Sequence, residues 1–228
     1  MSGYVRAANR YPEIAFGPAA MEHQRRTGSY VDYGAQLEPG RIAERDIPLD
    51  TRRAGFVRAA DSFFLATATP GGWPYIQHRG GPKGFAQVLD SSTIGFADLT
   101  GNQQYVTVGN LADNPRVALF FVDYPLRQRL KLFGLARVVE RDEDPDLLRR
   151  LLTIGSSTIR SRAERSILVT VEGYDWNCSR HIHPRYDKQR LDEAVALERA
   201  AAAEQAAEIE RLRAENAALR AELDRRAE

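Results

Sequence analysis

Apolar residues along the chain change their spacing several times, and each change marks an element boundary. The stretch "GNLADNPRVALFFV" (109–122) shows this most sharply. Up to Asp113 it reads as a short polar helix end; after Asn114-Pro115 it becomes a nearly continuous β-branched and aromatic run. Proline fixes φ and lacks an N–H, and asparagine tolerates turn geometry, so the pair stops one element and launches the next. The same reading finds two strands, "FFLATAT" and "PYIQHR", around a "PGGW" hairpin signal. Four more strands lie in "STIGFAD", "RVALFFV", "QRLKLFGLARVVE" and "SILVTVEGYDW". Only "DPDLLRRLLTIG" interrupts them, with Asp144 as N-cap, Pro145 at the first helical position, leucines at helical spacing and Gly155 as stop. Six strands with one or two short helices predict a compact antiparallel barrel, a mainly β fold with flanking helices.

Outside this region the pattern weakens and then changes in kind. Residues 1–50 hold Pro12, Pro18, Pro39 and Pro48 and read as an N-terminal arm with short helices lying over a core; Pro18 starts a helix that Gly28 ends. Thr51 to Ala60 is a short amphipathic helix stopped by Asp61-Ser62, and the barrel domain takes residues 51–187. From Leu191 to 228 the chain has neither Gly nor Pro and consists mostly of Ala, Glu, Arg and Leu. With Ile209 at heptad position a, Leu212 falls at d, Asn216 at a, Leu219 at d and Leu223 at a. One buried a-position Asn costs stability but favours a parallel, in-register dimer. Glu208 and Glu215 then occupy g positions and face Arg213 and Arg220 at e positions of a second helix, so both pairs attract. Upstream, Val195 and Ala202 continue the register weakly, which makes the C-terminal end the tightest. A single solvated helix packed on the barrel is the competing reading, and the seam with its complementary charges argues against it. A basic-region zipper for DNA is excluded, because "HPRYDKQRLDEAVALERAAAAEQ" mixes acids with its few cations.

Composition narrows the classes of function. The 228 residues are 43% hydrophobic and 28% charged, enough for one sizeable core, and the net charge of +1 provides no global field for nucleic acid or acidic membranes. The single cysteine, Cys178, excludes an intrachain disulfide and any Cys-x-x-Cys site, and is most simply a small buried residue. No stretch approaches the ~18 apolar residues of a membrane span, and "MSGYVRAANRYPEI" lacks the apolar core of a secretion signal. The expectation is a cytoplasmic protein without nucleic-acid or membrane partners.

The candidate chemistry gathers around an anion. Arg79 ends a strand and is followed by Gly80-Gly81, so it can meet a phosphate while the glycines let backbone approach; His78 is adjacent on the opposite face. Asn102, Gln103, Gln104, Thr107 and Asn110 line the segment before the Asn-Pro turn with amides and hydroxyls, beside a helix end whose N–H groups can hold an anion. His181 and His183 share one strand face but lack a carboxylate–His cluster that would complete a metal site, so no metal is expected. Trp73 and Trp176 read as packing residues, with flanking of a flat ring as the other reading.

The order "FFLATATPGGWPYIQHRGGPKGF", "GNQQYVTVGNLADNP", "RQRLKLFGLARVV" resembles the pyridoxamine 5'-phosphate oxidase-like flavoproteins, the FMN-binding split-barrel superfamily. The N-terminal "AFGPAAMEHQRRTGSY" is similar to that of the family's "PPOX class" branch, and the resemblance covers roughly residues 10–187, leaving out the coiled-coil helix. It implies an FMN-binding split barrel, with FMN at a homodimer interface built from both chains, acting as an oxidoreductase on a small molecule. The strand-end residues matching "HRGG" (His78, Arg79 and Gly80) would contact FMN. Asn102, Gln104, Thr107 and Asn110 would supply neutral hydrogen bonds to the phosphate, with Arg79 the chief cation. Val106 and Thr107 stand where the oxidase proper has an Arg-Lys pair, which argues against pyridoxamine phosphate chemistry. In "RQRL", Gln128 would reach the flavin's polar edge, Arg127 or Arg129 would flank the site, and His181 and Arg185 would line the substrate side. No residue is read as a general acid or base. Two alternatives stay open: a non-catalytic flavin- or haem-binding split-barrel module with a coiled-coil interaction tail, and an enzyme using the deazaflavin relative of FMN.

Overall fold

The computed structural model describes residues 9–34, 49–177 and 180–227. It divides into two compact units, Met1–Ile182 and His183–Glu228. Cys178, and with it the expectation of a small buried thiol, lies outside the described residues.

In the first unit, helix α1 (Tyr11–Ala15) and helix α2 (Pro18–Thr27) precede a 3-10 turn at Ser29–Val31. Helix α2 starts on Pro18 and stops at Gly28, whose φ of 82° lies in the left-handed region. Helix α3 (Thr51–Ala59) is capped by Asp50, which accepts from the Arg53 N–H. The strands are β1 (Ser62–Ala68), β2 (Pro74–Gly80), the two-residue β3 (Gln87–Val88) and β4 (Thr93–Leu99). Helix α4 (Val106–Asp113) and strands β5 (Arg116–Asp123) and β6 (Gln128–Glu140) follow. Helix α5 (Pro145–Leu151) leads to a small hairpin of β7 (Thr153–Ile154) and β8 (Ser157–Thr158), and β9 (Ala163–Asn177) closes the unit.

Seven strands form one antiparallel sheet in the order β2-β1-β5-β6-β9-β4-β3. The alternation read from sequence is kept: Val117, Leu119 and Phe121 of β5 and Leu130 and Leu132 of β6 point into one core. That sheet is rolled. Phe63 of β1 packs edge-on against Phe96 of β4 at 5.2 Å between ring centroids, although three strands separate β1 from β4 in the sheet order. Phe121 and Phe85 stack on the same Phe63 ring at 4.8 and 5.6 Å. Burying rings from both halves of a sheet against one another requires the sheet to curl, which makes this a barrel left open between β2 and the β4–β3 edge.

Tight curvature has a local device. The β6–β9 register shifts between Phe133 and Gly134, a β-bulge. A Cβ on Gly134 would lie 2.4 Å from the Thr170 carbonyl oxygen, so only glycine permits this approach.

Two expectations change. Gly155, read as the stop of the helix at 145, instead turns the β7–β8 hairpin with φ 58°, because α5 already ends at Leu151. Trp73, read as a packing residue, is 76% exposed at the tip of the β1–β2 hairpin, where the turn holds its backbone through Thr69 and leaves the ring outside. Trp176 does pack, edge-on against Phe56 and under the Arg52 guanidinium.

The second unit contains one long helix, α6 (Lys188–Ala227), begun by Asp187, whose carboxylate accepts from the Arg190 N–H. Among the described residues no helix is long and apolar enough to cross a membrane.

Candidate functional site

The opening between β2 and β4 holds a cavity of about 330 Å³. Alternation along β2 sends Tyr75, Gln77 and Arg79 to it and turns Ile76 and His78 outward. Strand β4 contributes Asp98 and Leu99, and the chain then winds through 100–105 to the N-terminus of α4. Gln103 and Tyr105 adopt positive φ, 58° and 55°, which folds this loop tightly over the cavity mouth. Tyr105 is also the N-cap of α4 in the left-handed conformation and makes no side-chain cap. The first turn of α4 (Val106, Thr107 and Val108) lines the cavity, so an uncapped helix end with its partial positive charge faces it.

Helix α4 is held to the barrel from its middle by a buried hydrogen bond. The Asn110 amide donates to Thr67 Oγ1 of β1 at 2.8 Å, and both residues are 5% exposed or less. Asn110 therefore fixes the helix to the barrel; it does not line the cavity.

Charge in the cavity is balanced within a small network. Arg79 Nη1 bonds Asp98 Oδ1 at 2.5 Å, and Arg165 reaches Asp98 Oδ2 at 3.5 Å, Glu164 at 3.0 Å and Glu140 at 3.1 Å. Burial pushes the Arg165 guanidinium down, but the hydrogen bond to Glu140 and the charges of Glu140, Asp98 and Glu164 outweigh it and keep the group protonated. Tyr105 lies under Arg165 and donates to Glu164 at 3.3 Å. Arg79 is thus shared with a carboxylate, where the sequence suggested an unopposed cation. Its Nε is buried without a partner, a donor still available to an incoming acceptor.

Among the residues singled out in the sequence, Arg79, Asn102, Gln104 and Thr107 surround this one cavity. His78 lies on the outer face of β2, edge-on to Phe64 at 5.7 Å, and Gly80 is exposed at the strand end. Gln128 begins β6 opposite Asp123, Arg127 has φ 55° in the turn before it, and Arg129 is half-buried with its Nε unpaired; none lines the cavity. His181 is exposed with φ 63°, while His183 and Arg185 belong to the second unit. Sequence reasoning missed Asp98, Tyr75 and Glu164. Asp98 had a readable signal, an acid closing the apolar strand "STIGFAD", since a carboxylate on such a strand needs a cation.

The donor set fits the phosphate end of FMN: an uncapped helix N-terminus, an arginine with an unused N–H, and neutral amides from Asn102, Gln103 and Gln104. Several solved structures are similar in fold. A HupZ variant from Group A Streptococcus is 16% identical over 57% of this chain and 99% of that one, with a TM-score of 0.45. A putative pyridoxamine 5'-phosphate oxidase from Lactobacillus delbrueckii is 20% identical over 56% and 93%, with a TM-score of 0.42. An FMN-binding protein from Syntrophomonas wolfei is 11% identical over 69% and 97%, with a TM-score of 0.44. No curated protein sequence matches the chain. The sequence pattern of pyridoxamine 5'-phosphate oxidase matches residues 49–172, more than half of the chain and the whole of the rolled sheet up to Glu172, and the chain belongs to that family.

Proposed function

We propose that the protein is an FMN-dependent oxidoreductase acting on a small molecule, with the FMN phosphate seated at the N-terminus of α4. The observation that carries this reading is the buried, unpartnered Nε of Arg79 beside an uncapped helix end in one cavity. Backbone N–H groups of the first turn of α4, the Thr107 hydroxyl and the amides of Asn102 and Gln104 hold the phosphate, and Arg79 adds one charge-assisted bond. Tyr75, Leu99 and Tyr105 give the cavity its apolar surface. FMN supplies the electron transfer when bound, and the protein orients it and excludes water.

Phosphate affinity rests on neutral donors more than on net charge, because Asp98 and Glu164 offset Arg79 and Arg165. Val106 and Thr107 stand at the helix start where the oxidase proper has an Arg-Lys pair, so pyridoxamine phosphate is a poor substrate in this reading. A homodimer is part of the proposal. The outer face of the β1–β2 hairpin exposes Phe64, Ile76 and Trp73, at 36, 63 and 76%, an apolar surface fit for a second barrel.

An absorption spectrum of the purified protein tests the assignment. Flavin bands that NAD(P)H or a deazaflavin donor bleaches support an FMN enzyme. Failure to bind added FMN refutes it, and a Soret band refutes it in favour of the non-catalytic haem-binding module.

A further inference from the structure

Helix α6 runs for 40 residues, about 60 Å at 1.5 Å per residue, and within its own unit no other element packs against it. A helix this long does not owe its order to a buried face of its own. Ile209, Leu212, Leu219 and Leu223 are 49, 44, 54 and 65% exposed, and with Asn216 between the leucines at 212 and 219 they follow three- and four-residue steps on one face. Ile209, Leu212, Arg213, Asn216 and Arg220 border a shallow groove along that face.

We infer that this face is an interaction surface for a second copy of the same chain, paired in parallel and in register as a two-stranded coiled coil. This inference is independent of the flavin reading. Charge decides the orientation. In a parallel pair, each g position faces the following e position of the partner, which sets Glu208 against the partner's Arg213 and Glu215 against the partner's Arg220. An antiparallel pair sets g against g and e against e, so Glu would face Glu and Arg would face Arg. In the single helix Glu208 and Glu215 both bond Arg211, at 2.7 and 3.3 Å, from a position outside the seam. Arg213 takes Glu210 at 2.8 Å, and Arg220 has no ion pair among the described residues. Pairing therefore leaves Arg211 as a lateral clamp on two glutamates while the e-position arginines turn to the partner. Asn216 at the central a position reaches its own counterpart only when the two chains are in register, which selects two strands over three or four.

Site-specific cross-linking of the full chain tests this. In a Cys178→Ser background, single Leu212→Cys (d), Leu223→Cys (a) and Ala214→Cys (f, outward) variants are oxidised mildly and run without reductant. Both seam cysteines should form covalent dimers roughly tenfold or more faster than the outward one, as chains held side by side give a high effective concentration. Adding Leu219→Glu to the Leu223→Cys variant should abolish the difference. Only a parallel, in-register pair brings both 212 to 212 and 223 to 223. Cross-linking at just one seam position, or at Ala214→Cys as fast as at the seam, overturns the proposal.

Discussion

Replacing Arg79 and Asp98 separately should move FMN affinity in opposite directions. Arg79→Met removes the cation and the unpartnered Nε together while keeping an aliphatic stem in the cavity. A charge-assisted hydrogen bond is worth about 1.5–3 kcal/mol, which at 1.4 kcal/mol per decade weakens binding roughly 10- to 150-fold. Asp98→Asn keeps the shape and removes the charge that opposes a phosphate. A phosphate on the far side of Arg79 lies on the order of 6 Å from the carboxylate, where the repulsion at an effective dielectric of 20 is about 3 kcal/mol before solvent screening. A gain of about tenfold in affinity is the expected outcome after that discount. The same change removes the charge that Arg79 and Arg165, at 16 and 12% side-chain exposure, share and leaves one amide oxygen to accept where there were two carboxylate oxygens, so the apo fold should lose about 1–3 kcal/mol. Quenching of FMN fluorescence gives the affinities, and urea unfolding with and without FMN gives the stabilities. The reasoning is refuted if Arg79→Met binds FMN as wild type does, or if Asp98→Asn weakens binding to the same degree as Arg79→Met.

Other consequences are more local. Asn110→Ala should cost about 1–3 kcal/mol in urea unfolding, because the buried Thr67 hydroxyl loses its donor; a double-mutant cycle with Thr67→Val that shows no coupling would refute the link. Gly134→Ala drives a methyl into the Thr170 carbonyl and should cost at least about 3 kcal/mol, at the upper end of overpacking penalties; an unchanged Tm would count against the bulge geometry. Burial pushes the Asp90 carboxyl up, yet hydrogen bonds from Ser92 and Thr93 outweigh it and hold the group below its ordinary value. Its contribution is therefore present above the unfolded carboxylate pKa and lost as pH falls through the lower folded one. The stability gap between wild type and Asp90→Ala should narrow on acidification, and a gap that widens would contradict the assignment.

Local chemistry made some elements legible and long-range closure hid others. Strand β6 was readable at both ends, 128–140, because apolar alternation runs from one charged turn to the next. Helix α5 was readable at its start, since Asp144 and Pro145 act on the backbone within three residues. The pieces that escaped are those created by the roll of the sheet. Two-residue β3 exists only because β4 offers it an edge, and β9 begins at Ala163 because a bulge lets it meet Leu99. The candidate site divides in the same way. Arg79, Asn102, Gln104 and Thr107 come from two segments whose anion-binding character is local. The capture of Arg79 by Asp98 depends on β2 meeting β4 across the opening, a contact no periodicity reports.

Strand β2 is bonded along one side only, to β1, and across the opening it faces β4. The Arg79–Asp98 pair fastens that seam like a single clasp. A ligand seated there bridges β2 and the stretch of β4 beyond its β3 pairing, so it acts as a cross-brace for the whole cylinder. Filling the cavity should therefore slow amide exchange along both β2 and β4, far beyond the atoms it touches. Ligand binding and mechanical integrity then share one joint, and selection acting on either is felt by the other.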